Sequence, residues 1–100
     1  MKVAIPLKSA DGLEADVLGS FERAPYFAVV EKSGDEVKVN LFENPSSSPS
    51  ELAQVLLSYG VKGVLYSEAK PLVKSAFEQL GIEVLEGEFK TLKEAIYSLF

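Results

Sequence analysis

Two segments of this chain share one plan: apolar residues at helical spacing, a glycine after them, and a short β-prone run directly beyond. Leu52, Val55, Leu56 and Tyr59 recur at that spacing, Gly60 follows, and Val61 to Tyr66 reads as a strand. Val73, Ala76, Phe77 and Leu80 repeat it, Gly81 follows, and Ile82-Glu83-Val84-Leu85 is the next strand. Glycine takes the left-handed conformation that stops a helix at little cost, so both helices are expected to end there. Strand–helix–strand passages require right-handed crossovers, which makes the strands from Val61 and Ile82 onward parallel.

The first half obeys a different rule. Tyr26-Phe27-Ala28-Val29-Val30 is strongly β-prone, Lys32 to Glu36 is a polar turn, and Val37 to Phe42 alternates with period two. These form a hairpin, necessarily antiparallel, whose second strand shows one face to water. Val3-Ala4-Ile5 reads as a short buried strand closed by Pro6, and Asp11-Gly12 and Gly19-Ser20 mark turns in the patternless stretch after it. Ser48-Pro49-Ser50-Glu51 and Thr91-Leu92-Lys93-Glu94 are capping-box signatures that open the first and third helices. Leu92, Ala95, Ile96 and Leu99 line that last helix. The order is therefore β, loop, β-hairpin-β, α, β, α, β, α. A mixed five-stranded α/β sheet with helices on both faces satisfies every constraint. Ligands on such sheets gather beyond the carboxyl ends of the parallel strands, which here feed Pro6 to Gly12, Glu43 to Ser50, Ser67 to Pro71 and Glu86 to Lys90.

Composition narrows the chemistry. With 100 residues, 47% of them hydrophobic, the chain is expected to form one domain over residues 1–100. It contains no cysteine and no histidine. That removes disulfides, thiolate metal sites, cysteine-ligated clusters, cysteine nucleophiles and the usual general base at neutral pH. The net charge of −5 with no Lys/Arg cluster argues against nucleic acid as a partner. No apolar run is long enough for a signal peptide or a bilayer span, so a cytoplasmic protein without membrane association is expected. Abundant Glu and Lys, with no Cys or His, point to a heat-loving source.

Several constellations could carry function. Asp11, Glu14 and Asp16 are the densest acidic group outside the helices, but they lack the ligand spacing of a calcium loop and read as solvated. Ser46, Ser47 and Ser48 stand where a helix opens, and its backbone amides could hold an anion, although no P-loop glycines or terminal Gly-Lys accompany them. Arg23 is the only arginine. Beside aromatic residues it could grip an anion through two hydrogen bonds, or equally pin its loop to Glu22 or Glu43. Tyr59, Phe77 and Phe89 are read as core or rim, and Tyr66, at a strand's carboxyl end, is the tyrosine to watch. No acid and base can be paired from sequence, so no catalysis is expected.

Met1-Lys2-Val3-Ala4-Ile5-Pro6, Phe21-Glu22-Arg23-Ala24-Pro25-Tyr26-Phe27 and Glu43-Asn44-Pro45 together resemble the dinitrogenase iron–molybdenum cofactor biosynthesis family. Gly60-Val61-Lys62-Gly63-Val64-Leu65 and Leu80-Gly81-Ile82-Glu83-Val84 extend the resemblance over nearly the whole chain. It implies a ribonuclease H-like three-layer fold with sheet order 3-2-1-4-5. It further implies a nitrogenase accessory factor-like domain, a class that includes carriers of iron–molybdenum cofactor or its precursors. Family members often carry His-Phe-Gly-Arg where this chain has Ser20-Phe21-Glu22-Arg23, and glycine-rich turns where it has Ser46 to Ser50 and Ser67 to Lys70. The pocket-lining candidates carried over are Arg23, Asn44, Ser46, Ser47 and Ser48, with Ser67 at the head of the turn after the fourth strand. The expectation is a monomeric binding domain with no resident cofactor, taking an anionic small molecule or metal cluster at the strand ends. The rival reading is a protein–protein module acting through its acidic surface or a sheet edge.

Overall fold

The computed structural model describes residues 1–45 and 48–100, apart from the side chains of Pro49 and Ser50. β1 (Lys2–Leu7) leads through a long loop holding a 3₁₀ turn at Gly12–Glu14 to β2 (Tyr26–Ser33) and β3 (Glu36–Glu43). Then α1 (Pro49–Ser58), β4 (Gly63–Tyr66), α2 (Pro71–Glu78), β5 (Glu83–Glu86) and α3 (Leu92–Leu99) alternate. The five strands form one sheet in the order β3-β2-β1-β4-β5. β2 is antiparallel to both β1 and β3, while β4 is parallel to β1 and β5 parallel to β4. This is the ribonuclease H-like arrangement that the resemblance implies.

Period-two alternation sorts the strand residues between two cores. Ala4, Phe27, Val29, Val64 and Tyr66 face one side and pack with Leu52 and Leu56 of α1 and Val73 and Phe77 of α2. Val3, Ile5, Leu7, Ala28, Val30 and Leu65 face the other and pack with Leu92 and Ala95 of α3. Each fully buried Leu or Phe stabilises the fold by roughly 1.5–3 kcal/mol of transfer free energy. Tyr59 belongs to the rim: it is exposed, and its ring stacks on Phe42 at 4.5 Å between centroids.

The helix ends follow the expected chemistry closely. Gly60 and Gly81 both have φ of +77°. After α1 the Gly60 N–H donates to Leu57 O and the Val61 N–H to Leu56 O; after α2 Gly81 donates to Glu78 O and Ile82 to Phe77 O. These paired bonds satisfy carbonyls that a helix end otherwise leaves bare. They also shorten the strands that follow. Val61 and Ile82 serve the helix closures, so β4 starts at Gly63 and β5 at Glu83. The Ser48 hydroxyl accepts from the Glu51 N–H at 3.3 Å, and Thr91 and Glu94 complete a reciprocal capping box.

Pro6 does not close β1, contrary to expectation. The strand runs on to Leu7, with Pro6 opposite Phe27. The Pro6 carbonyl accepts from the Leu18 N–H at 3.0 Å. A strand residue presents its N–H and C=O on the same side, so the missing proline N–H faces Leu18 and costs the β1–β2 ladder nothing. The hairpin is longer than expected, because its turn tightens to Gly34-Asp35, with Gly34 at φ +62°. A glycine at positive φ in the first of two loop positions suits a type II′ turn. Among the described residues, no helix is long and apolar enough to cross a membrane.

Candidate functional site

The carboxyl ends of β1, β4 and β5 open on one side of the molecule, where the segment after the 3₁₀ turn is laid across them. Val17 donates to Lys90 O, Leu18 to Pro6 O, and Ser67 to Gly19 O, each at 3.0 Å. The Gly87 N–H donates to Tyr66 O at 2.9 Å. Residues 17–19 are thereby fixed among the strand ends. A cavity of about 340 Å³ lies there, bordered by Leu18, Gly19, Ser67, Gly87 and Lys90 among others. A second, of about 240 Å³, is lined by Ser20, Glu22, Arg23, Tyr66, Glu68, Lys70 and Val73.

Tyr66 contributes the most unusual atom of this region. Its ring is 2% exposed and packs against Phe21 at 5.5 Å and Phe77 at 6.0 Å between centroids. Its hydroxyl is buried, with the Phe21 backbone close by and no group among the described residues accepting its proton. Burial pushes the phenol above its ordinary range, and the Glu22 carboxylate adds to the effect, partly opposed by the Phe21 backbone. The group therefore stays a neutral hydroxyl through the physiological range. A buried hydroxyl without a partner costs about 1–3 kcal/mol.

The charges around it are balanced. Arg23 and Lys70 line the 240 Å³ cavity, and so do Glu22 and Glu68. Among the described residues the ion pairs are Lys2–Glu31 and Lys74–Glu86, so Arg23 is not pinned to Glu22 or Glu43. It is exposed and lines that cavity, outside any ion pair among the described residues. Lys74 and Glu86 meet at 2.8 Å, and the second Glu86 oxygen accepts from the Ala69 N–H at 3.4 Å. Those contacts hold the turn that carries Glu68 and Lys70. Hydrogen bonding from Lys74, followed by the Ala69 amide, keeps the Glu86 carboxyl below its ordinary range; the same pairing raises Lys74.

The residues singled out from sequence separate into distinct roles. Arg23 lines the smaller cavity and Ser67 the larger, so the two face neighbouring spaces rather than one. Asn44 lines neither. Its side-chain amide donates to Phe21 O at 3.1 Å and to Ala24 O at 2.9 Å, which fastens the loop carrying Arg23. Ser48 caps α1. Ser46 and Ser47 lie outside the described residues. Lys70, Glu22 and Glu68 join the cavity only because β4 and the long loop converge; no local pattern marks them. Among the described residues no group of three or more His, Cys, Asp or Glu could hold a metal ion, and Asp11, Glu14 and Asp16 form none.

A family model described as dinitrogenase iron-molybdenum cofactor matches residues 1–100. The chain belongs to that family. Solved structures agree with the assignment. The crystal structure of PH0822 is 30% identical over 98% of this chain and 88% of that one, with a TM-score of 0.86. A NifB-like protein from Thermotoga placed in the DUF35 family, solved by NMR, is also 30% identical, covering 97% of this chain and 84% of that one, at TM-score 0.66. The apo form of the orange protein from Desulfovibrio gigas shares the fold, at TM-score 0.79 and 24% identity over 96% of this chain and 83% of that one. No curated protein matches the chain significantly.

Proposed function

We propose that this member of the iron–molybdenum cofactor family is a non-catalytic binding domain that takes an anionic small molecule or an anionic metal cluster at its strand ends. The observation that carries the reading is the cavity that Arg23, Lys70 and Tyr66 line together, the last with its hydroxyl buried and unpaired among the described residues. A neutral phenol donor, a guanidinium and an ammonium are complementary to oxygen or sulfur acceptors on an anion. Because Glu22 and Glu68 balance the charge, selection rests on directed donors rather than on a general positive field. A metal cluster would enter as cargo and be held from outside as a whole anion, since the chain offers neither thiolate nor imidazole to its metal atoms. Ser67 and the larger cavity give room beside the first for an extended ligand.

The test is a titration of the protein with molybdate and, separately, phosphate, followed by amide and side-chain NMR. Saturable shifts at Arg23, Tyr66 and Lys70, weakened at least about tenfold by Arg23→Ala, are expected. Unchanged resonances at these residues with both anions at about 10 mM would overturn the reading.

A further inference from the structure

The long edge of the sheet is open. β3 has a single neighbour, β2, and pairs with it residue for residue over all of Glu36–Glu43, with no bulge and no proline. Proteins commonly blunt such edges with a proline, a bulge, a very short strand or charged side chains, and of these β3 has only the charges of Glu36, Lys38 and Glu43. The opposite edge, β5, spans only Glu83–Glu86. On the α3 side of β3, Val37 and Leu41 are 40% and 37% exposed, and Tyr97 and Leu13 beside them are 79% and 47% exposed. Val37, Val39, Leu13, Ile96 and Tyr97 border a largely apolar groove of about 300 Å³.

The backbone polarity of β3 can be read directly. The Asn44 N–H donates inward to Pro25 O, and the two-residue turn makes Ser33 and Glu36 a hydrogen-bonded pair. Even-numbered residues thus face β2, and Val37, Val39 and Leu41 direct both N–H and C=O outward. We infer that this edge pairs antiparallel with the same edge of a second copy, about a twofold axis at Val39. In that register Val37 faces Leu41 of the second copy, Val39 faces its own counterpart, and each exchanges both backbone bonds. All these side chains lie on the α3 face, so the apolar groove closes against the second copy. Lys38 faces Asn40 and Glu36 faces Phe42, and the one like-charge approach, Glu43 with Asp35 of the turn, falls at the exposed ends of the ladder. A twofold axis normal to the sheet allows only registers that keep each face together. Centring on Lys38 sets lysine against lysine, centring on Asn40 sets Val37 against Glu43, and centring on Leu41 sets Val39 against Glu43. Centring on Val37 sets Val39 against Asp35, so apolar matching selects Val39, the register that pairs Val37, Val39 and Leu41 wholly with one another. The association is independent of the strand-end cavities.

Sedimentation and light scattering between about 10 μM and about 1 mM test the inference. The weight-average mass is expected to rise from 10.9 kDa toward twice that value. Val39→Pro removes one outward N–H while sparing the bonds to β2, and it should weaken association at least about tenfold in a protein whose spectrum stays folded. Register is tested by oxidation, without background because the chain has no cysteine. An equimolar mixture of Lys38→Cys and Asn40→Cys chains should give a disulfide-linked pair, and neither variant should do so alone. A mass fixed at 10.9 kDa up to the highest concentration would overturn the inference. So would linkage of Asn40→Cys to itself as efficient as that of the mixture.

Discussion

Gly19 and Ser67 are fitted so closely that a Cβ on Gly19 would stand 2.6 Å from the Ser67 Oγ. The two residues are 48 apart in sequence, and the Ser67 N–H donates to Gly19 O at 3.0 Å. Gly19→Ala should therefore force the Ser67 hydroxyl to a new rotamer and cost about 1 kcal/mol, near the lower end for overpacking. Ser67→Ala in the same chain should recover most of that cost, because the obstructing atom is gone. A double-mutant cycle from urea denaturation measures the coupling, and strict additivity would show that the contact is not felt.

Tyr66→Phe separates stability from binding. Deleting a hydroxyl that has no partner should leave stability unchanged or raise it by up to about 1 kcal/mol, while anion affinity falls. Thermal unfolding and the anion titration are the two readouts. A clear loss of stability would mean that the hydroxyl is satisfied in the folded protein.

The same tyrosine predicts an alkaline limit. Its phenol is raised in the folded state by burial first and by Glu22 second, so the unfolded chain releases the proton before the folded one does. The stability held in the neutral phenol is complete below the unfolded value, about 10, and declines as pH rises above it. Denaturation midpoints measured across that window should fall more steeply for the natural chain than for Tyr66→Phe.

Asn44→Ala should destabilise by about 1–3 kcal/mol, since it strips the Phe21 and Ala24 carbonyls of a partner in a partly buried setting. Amide exchange in residues 21–24 should accelerate. Arg23→Ala, which removes an exposed side chain outside any ion pair among the described residues, should change stability by less than about 0.5 kcal/mol. If Asn44→Ala proved as mild as Arg23→Ala, the latch would carry no weight.

Glu86 supplies a test in acid. Its carboxyl is lowered by Lys74 first and the Ala69 amide second, so its contribution is present above the unfolded carboxyl value and disappears as pH falls through the folded one. Because both partners are exposed, the effect is small. Unfolding midpoints of the natural chain and Glu86→Gln should differ at neutral pH and converge in acid, and a constant gap would remove the pairing as its cause.

Local chemistry was enough to settle how the chain is cut into elements. Gly60 and Gly81 stop helices because only a residue without Cβ adopts positive φ cheaply, and Thr91 starts one because Glu94 returns its hydrogen bond. The β-prone run from Tyr26, the alternation from Val37 to Phe42 and the two crossovers then required a mixed five-stranded sheet, whose order the family resemblance implied. Pro6 escaped the same reasoning because a missing N–H matters only if a partner strand needs it, and that depends on which neighbour lies on that side. Boundaries slipped at Val61 and Ile82 for a related reason: each spends its N–H on the helix before it.

The site depended on the tertiary structure far more than the fold did. Sequence alone put the sole arginine in an unusual string and drew attention to Tyr66, and it excluded thiolate and imidazole ligands outright, since a residue type that is absent cannot act. It could not place Arg23, Glu68, Lys70 and Tyr66 around one cavity, or show Asn44 as a latch and Ser48 as a cap. Periodicity reports which way a side chain leaves its own helix or strand. A cavity is bounded by residues from separate segments, and only the folded chain decides which of them meet and whether a buried hydroxyl finds a partner.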